Sequence, residues 1–524
     1  MDTFTHRGVN FFRLFLIFAL LVSLFCFRDL WLPTGNDEYL SSSPIPRPTQ
    51  QHLADQLIFD TTTPPPSPST EALPAPTILH PALIAQPHEH EEIKDFYPPP
   101  PPPPSQDDCR NLPGADKIMV MLKTGATEIY SKLPTHLLTT FTCIPNYKIY
   151  SDLEQTFGNT PITDVIHPVS QHLRETHEDF NLYRDLQKWQ REGQDLSKLK
   201  GDHGWNLDKW KFLPMIHDAF ESAGPEIEWF VMIEADTALS WLNLLPWLQT
   251  MNPKEQHYLG SQNVIGDTRF AHGGSGIIIS RAALETLEEA RSSIGKAYYD
   301  ERWEEATSHS CCGDAILAEA LKAVNVSLTG AWPVIQGETI SSIDFSERNW
   351  CHVPTTWHHV SPIQVDAHWQ FQAKWAKDRG WQTPFLYRDI FEKFVADHVS
   401  VNRTKWNNLS KDVKLTAPEL VSDDQKENDG KAFAELEEYE QRAVQSQEDC
   451  AEACHIKGRE QCVQWMWTEG RCHLGKDVRL GSSDEKNQIE VKIGERMERG
   501  YWNCGWVQPA VKRLLSGRCE GRAF

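Results

Sequence analysis

A chain of 524 residues with a formal net charge of −22 is too long for one ordinary domain. It is also too acidic for a nucleic-acid binder, whose phosphate contacts need a basic face. The 40% apolar content allows a real core, while 34 prolines show that part of the chain does not pack. An anionic substrate is not excluded, but a metal or a few placed Lys/Arg must then screen it locally.

Residues 1–10 read as a short tail, and 11–32 as a signal anchor that crosses a membrane once. Phe11 to Phe27 is almost wholly apolar. Counted from Leu14 the uncharged run falls short of the roughly 18 residues of a clean span. Arg13 is expected to snorkel to the cytoplasmic interface, with Trp31 anchoring the other side. A cleaved signal peptide is the rival reading; no small-x-small cleavage site follows the apolar core, which favours the anchor. Positive charge before the span predicts a lumenal bulk.

Residues 33–108 are rich in Pro, Ser and Thr, with an unbroken proline run from Pro98 to Pro104. Such a stretch reads as an extended, polyproline-like stem. The His88-Glu89-His90 cluster within it offers no fixed geometry and reads as a solvated patch.

Globular sequence begins near Cys109 and is expected to run to about residue 400. Lys117–Lys123, Tyr147–Asp152 and Trp229–Ile233 read as strands alternating with helices. That pattern predicts an α/β domain with a largely parallel central sheet. In such sheets ligands bind beyond the carboxyl ends of the strands. Lys123, Thr124, Asp152 and Glu234, at or just past those ends, are therefore candidate ligand-binding residues.

Glu234 and Asp236 end the third strand. Residues two apart on extended chain point the same way, so both carboxylates can face one hard cation that bridges a diphosphate. Oxygen donors suit Mg²⁺ or Mn²⁺. Gly273 and Gly274 lie in a glycine-rich turn that opens on the strand Ile277–Ser280, where backbone can approach a ligand closely. Asp314 follows Cys311-Cys312-Gly313 at a helix start. Trp357-His358-His359-Val360 offers an imidazole as a further metal ligand. Lys209 and Lys211, just before the metal strand, are placed to meet a diphosphate.

Beyond residue 400 the composition shifts. Residues 401–447 read as an acidic linker or exposed helix, 448–476 as a four-cysteine module, and 477–524 as a tail holding Cys504 and Cys519. The chain has twelve cysteines, eleven of them beyond the apolar segment, so at least one is free or pairs between chains. Sequons at Asn325, Asn402 and Asn408 suit a secretory location. In that setting Cys450, Cys454, Cys462 and Cys472 read as two disulfides rather than a zinc site. Cys504 and Cys519 can bridge to each other or back to the body.

The ordered set of these pieces, over residues 115–365, resembles glycosyltransferase family 31, the Fringe and core-1 galactosyltransferase group, with a Rossmann-like GT-A fold. That family's W-F-x-x-x-D-D-D-T stretch matches Trp229, Phe230, Glu234, Ala235, Asp236 and Thr237. Its G-G-A-G turn matches Gly273–Gly276, and its acidic pair before a helix matches Gly313-Asp314. Its late F-H-Y-V matches Trp357-His358-His359-Val360, where an ungapped match assigns the metal histidine to His358, with His359 one position away. Two positions depart: Glu234 replaces the first aspartate, and Gly313 the acid before the catalytic base.

The resemblance implies an inverting, metal-dependent transfer from a UDP-sugar in the Golgi. The expected donor is UDP-galactose, moved in β-1,3 linkage to a glycoprotein sugar such as O-linked GalNAc; UDP-GlcNAc and UDP-glucose are the other donors. Asp314 would be the base, and Asp236, His358 and Glu234 the ligands of Mn²⁺ or Mg²⁺. The rival class is a non-catalytic carbohydrate-binding or adhesion protein with a degenerate GT-A domain. The Cys450–Cys472 cluster, with Gln464-Trp465 and His473-Leu474-Gly475, resembles a PAN/apple module.

Overall fold

The computed structural model describes residues 109–519, apart from 200–202, 422–427, 459–460, 484–488 and 494–495. The expected tail (1–10), anchor (11–32) and stem (33–108) lie outside the described residues. Among the described residues no helix is long and apolar enough to cross a membrane.

The strands up to residue 357 are β1 (Ile118–Lys123), β2 (Asn146–Ser151), β3 (Gln155–Phe157), β4 (Thr160–Asp164), β5 (Trp229–Glu234), β6 (Ala238–Leu239), β7 (Tyr258–Gly260), β8 (Gln262–Ile265), β9 (Thr268–Ala271), β10 (Ile277–Ser280), β11 (Thr329–Gly330) and β12 (Thr356–Trp357). Eight of them form the central sheet, in the order β11-β7-β10-β5-β1-β2-β4-β3. The inner strands are apolar on both faces because both are covered. Alternation sorts them: Val231 and Ile233 join Val120, Leu122 and Trp241 in one core, while Phe230 and Met232 join Met121, Phe212 and Ile277 in the other.

The sheet is largely parallel, six of its eight strands pointing the same way, with two antiparallel exceptions. β5, β1, β2 and β4 run parallel, but β10 is antiparallel to both β5 and β7, and β3 is antiparallel to β4. The cause is connectivity. The Trp241–Gln249 helix carries the chain over to β7, and the β8–β9 hairpin with the glycine turn then feeds β10 back between β7 and β5. β1 has β2 on one side and β5 on the other, so the chain reverses its direction of travel across the sheet at β1. In doubly wound sheets ligands bind at the carboxyl ends of the strands at such a point.

The C-terminal region departs from the sequence reading. Residues 401–447 are not a linker: within them lie β13 (Trp406–Asn407) and β14 (Val413–Thr416). β15 (Gln464–Thr468), β16 (Arg471–Gly475), β17 (Ser482–Ser483), β18 (Ile489–Ile493), β19 (Arg496–Gly500) and β20 (Asn503–Trp506) follow. An antiparallel sheet of order β14-β16-β15-β20 takes one strand from the expected linker and one from the expected tail. The strand shows no clean alternation to mark it: Leu415 and Thr416 are both buried, Val413 is half-buried and Lys414 is exposed.

The Gln447–Lys457 helix packs on this sheet, secured by Cys450–Cys472 and Cys454–Cys462. The two-disulfide reading therefore holds. Cys519 bridges back to Cys351, and Cys504 is free and buried. Cys109–Cys143 and the adjacent Cys311–Cys312 complete the pairs. One sequon fails: Asn408 is fully buried, its Nδ2 donating to the Trp465 carbonyl and its Oδ1 accepting from Ser410 Oγ, so no glycan can reach it.

A third core joins the two regions. Phe345, Trp350, Tyr387 and Phe391 pack with Met466, Trp502, Trp506 and Leu514. The Gln508–Leu515 helix ends beside the Cys351–Cys519 bridge, which closes a separation of 168 residues. Cys351→Ser is expected to lower stability by about 2–4 kcal/mol. A denaturation midpoint equal to that of the unsubstituted protein would show that packing alone holds the C-terminus.

Candidate active site

Register sets the first contact. Lys123 and Glu234 are partners across the β1–β5 ladder, and Lys123 Nζ meets Glu234 Oε1 at 3.0 Å. Lys123 also pairs with Asp208. Asp208 accepts from Lys211 at 3.3 Å, and Lys211 reaches Asp152, just past the end of β2, at 2.9 Å. Glu234, Lys123, Asp208, Lys211 and Asp152 thus alternate in sign across the ends of three strands. Burial alone would depress both ammonium groups, but the flanking carboxylates more than offset it and hold each above its usual range.

This row shows which partners the predicted donor-binding residues have. Asp152 accepts from the Ala126 amide at 2.8 Å, and Lys211 donates to the Thr124 carbonyl at 2.9 Å, so both hold the turn after β1. Thr124 is tied to β2 through its amide and the Tyr150 carbonyl. Lys209 does not join the row. Its ammonium is spent on Asp179 and the Ser310 carbonyl, each at 2.9 Å.

The loop after β5 is tethered on every side. The Ala235 amide donates to the Lys123 carbonyl, and His136 Nε2 bonds the Ala235 carbonyl at 2.9 Å. Burial pushes the His136 pKa down, which favours the neutral ring. Thr237 Oγ1 donates to the Gly274 carbonyl at 2.7 Å, and the Val360 amide to the Asp236 carbonyl at 3.0 Å. The short β6–β12 ladder, with Trp357 opposite Ala238, brings the late histidines to the acidic loop.

His358 Nε2 then lies 3.5 Å from Asp236 Oδ1 and 3.8 Å from Glu234 Oε2. Burial would depress this imidazole, but the two carboxylates outweigh it and push its pKa up to about 9. Asp236 is held below the ordinary carboxylate range: burial opposes this, while His358 and Lys132 (3.5 Å) favour it. Lys123 and His358 likewise overcome burial to hold Glu234 low.

The glycine turn joins this cluster to Asp314. The Gly273 amide donates to Asp314 Oδ2 at 3.0 Å. A Cβ on Gly274 would come within 2.0 Å of His358 Nε2, and one on Gly273 within 2.9 Å of Phe212. Gly276 adopts φ +102°, a backbone open to glycine. Burial raises the Asp314 pKa, partly countered by the Gly273 amide and by His272. Gly313 has a steric reason too: its Cβ would lie 2.2 Å from the Lys209 carbonyl and 2.5 Å from Phe212.

Sequence reading overlooked Asp208, His272, Lys132 and His136. Asp208 had a signal, three residues before Lys211 in the same stretch. His272 precedes the glycine turn and bonds Ser275 Oγ at 2.8 Å, with its ring 5.2 Å from His358. Lys132 and His136 lie on the Ile129–Leu138 helix, and only the fold aims them at the acidic loop.

Residues 115–332 match the family model described as Fringe-like. The match supports a glycosyltransferase. It spans less than half of the chain and ends before the late histidines. A solved structure, described as that of a glycosyltransferase involved in the glycosylation of the major capsid of PBCV-1, matches at 12% identity. The match covers 48% of this chain and 98% of that one at a TM-score of 0.23, a likeness that carries no argument. No curated protein matches the chain.

Two substitutions test the assembly. Lys123→Met strands the Glu234 charge and is expected to cost about 3 kcal/mol in urea unfolding. Gly274→Ala forces the His358 ring aside, at about 1–3 kcal/mol. Gly330→Ala meets nothing within 4 Å and serves as the control. Equal midpoints for the two glycine variants would contradict the tight seat.

Proposed function

We propose that the chain is an inverting, metal-dependent glycosyltransferase that moves a hexose from a UDP-sugar to a hydroxyl of a glycoprotein glycan. The observation that carries this is the glycine turn. One residue of it holds Asp314 and the next seats His358 beside Asp236, so a base and a cation-binding cluster flank one short backbone segment. The Fringe-like match over residues 115–332 supports the same class.

A carboxylate oxygen with an imidazole nitrogen can accept a divalent transition ion, Mn²⁺ among them, and the close seat at Gly274 fits such a cluster. Asp236 and His358 would hold the ion. When bound, it would supply positive charge against the diphosphate of the donor.

The chain's own groups do the rest. Asp314 accepts the proton of the acceptor hydroxyl as that oxygen bonds to the anomeric carbon. The bond from that carbon to the UDP oxygen breaks, and the diphosphate leaves with the electron pair. One displacement inverts the carbon, so an α-linked donor gives a β-linked product. UDP-galactose, a β-1,3 linkage and an O-linked GalNAc acceptor are the specific forms proposed.

The ten paired cysteines fit an oxidising compartment, and the Golgi lumen is the proposed location. The C-terminal four-cysteine sheet is proposed to act as a PAN/apple-like module that helps engage the acceptor.

The test is UDP release by the full-length protein from a panel of UDP-sugars, with Mn²⁺ or with EDTA, and with or without a GalNAc-α-aryl acceptor. Turnover of one donor that EDTA abolishes is expected; silence across all donors would overturn the reading. Asp314→Asn should lower kcat by at least about 100-fold with donor KM little changed. Burial raises the pKa of Asp314, and the base works only unprotonated. Activity should therefore be full above that raised pKa and fall as pH drops through it, at higher pH than an ordinary carboxylate would give. An acid limb at the ordinary carboxylate pKa would remove Asp314 from the role.

A further inference from the structure

We infer that His359 is a second imidazole ligand of the cation site, so that Asp236, His358 and His359 form a two-imidazole, one-carboxylate set, while Glu234 positions the site without binding the ion. The inference rests on the metal-dependent reading above and alters which residues carry it.

Three observations point the same way. One ligand atom from each of Asp236, His358 and His359 lies within 4.8 Å of the others, close enough that small side-chain shifts would bring all three onto one ion. Glu234 is not part of that group. Its Oε1 is taken by Lys123 at 3.0 Å, and its Oε2 lies 3.8 Å from His358 Nε2.

The backbone supplies the second observation. His359 has φ +57°, a left-handed conformation that a side-chain-bearing residue adopts at a cost. In extended chain His358 and His359 would point to opposite sides of β12's continuation. The left-handed turn brings the two rings together instead, with centroids 3.8 Å apart and planes at 32°. The turn is fixed just beyond, where the Val360 amide bonds the Asp236 carbonyl at 3.0 Å.

The third is the division of exposure. His358 is buried, His359 exposed and Asp236 intermediate. The set therefore runs from a buried ring to one open to solvent, and the exposed side is where substrate oxygens would reach the ion. His358 Nδ1 is buried without a hydrogen-bond partner, so packing against Gly274 and the His359 ring holds the imidazole in place.

The donor set has a consequence for ion choice. Two nitrogens and one oxygen favour borderline transition ions, whereas Mg²⁺ prefers oxygen alone. The site should bind Co²⁺ and Mn²⁺ well above Mg²⁺, with His359 responsible for much of the margin.

The experiment is ion binding to the full-length protein, with no substrate present. Free Mn²⁺ would be counted by electron paramagnetic resonance, Co²⁺ by its visible absorption, and Mg²⁺ by competition. Folding of each variant is checked by its thermal midpoint. His359→Ala should weaken Mn²⁺ and Co²⁺ by at least about tenfold, shift the Co²⁺ spectrum and leave Mg²⁺ nearly unchanged, whereas Glu234→Gln, acting only through its neighbours, should lose clearly less than Asp236→Asn and leave the Co²⁺ ligand spectrum unshifted. An unchanged Mn²⁺ affinity and Co²⁺ spectrum in His359→Ala would overturn the inference. So would a loss in Glu234→Gln as large as that in Asp236→Asn. Transferase activity without any measurable ion binding would sink the ligand set and leave the transferase standing; the expected binding pattern without donor turnover would do the reverse.

Discussion

Everything at the strand ends depends on one electrostatic requirement: five charged groups are gathered at the carboxyl edge of a parallel sheet, and none of them can stand alone there. Glu234, Lys123, Asp208, Lys211 and Asp152 alternate in sign, and the two lysines and Asp152 are almost fully enclosed. A buried ion pair is weak evidence of net stability, because desolvation cancels most of the attraction. What it supplies is position. Removing any cation would leave a carboxylate uncompensated, so β1, β2 and β5 are obliged to end in register. The Lys209–Lys211 turn is obliged to lie against them.

The acidic loop inherits that fixity. Ala235, Asp236 and Thr237 are each tied by backbone or side-chain bonds to a different element, and the glycine turn and the late histidines pack on the result. Function and fold share residues here. Glu234 and Lys123, which a sequence pattern assigns to cation and donor, act in the structure as each other's partner. Pre-organisation of this kind is what a site needs to hold charge without rearranging.

Much of this was legible in the chain. The apolar runs ending at Lys123, Asp152 and Glu234 mark the sheet and its binding edge, and the spacing of Glu234 and Asp236 marks the acidic loop. Four closely spaced cysteines, read with an expected secretory setting, mark two disulfides. The misreadings have physical causes. A short strand such as Val413–Thr416 hides in a polar segment because its burial, in Leu415 and Thr416 side by side, follows no alternation. The antiparallel β10 cannot be told from a parallel strand by its Ile277–Ser280 sequence, since direction is set by connections. Lys132, His136 and His272 reach the site only through tertiary placement, which no local spacing encodes. His359 was visible as a histidine, but its turn back toward His358 follows from a single positive φ.

Gly313 extends this last point to the interpretation of departures from a resembled motif. The position lacks the acid that the family pattern carries, and a motif count would score it as decay. Yet its hydrogen faces the Lys209 carbonyl and the Phe212 ring, and Phe212 in turn lies under Gly273 and beneath the Lys123 ammonium. Restoring the acid would therefore require at least Phe212 and the Lys209 backbone to change with it. Positions 212, 273 and 313 form a coupled trio in which the order of substitution matters, so a swap toward the resembled motif made at one of them alone would damage the chain it was meant to repair.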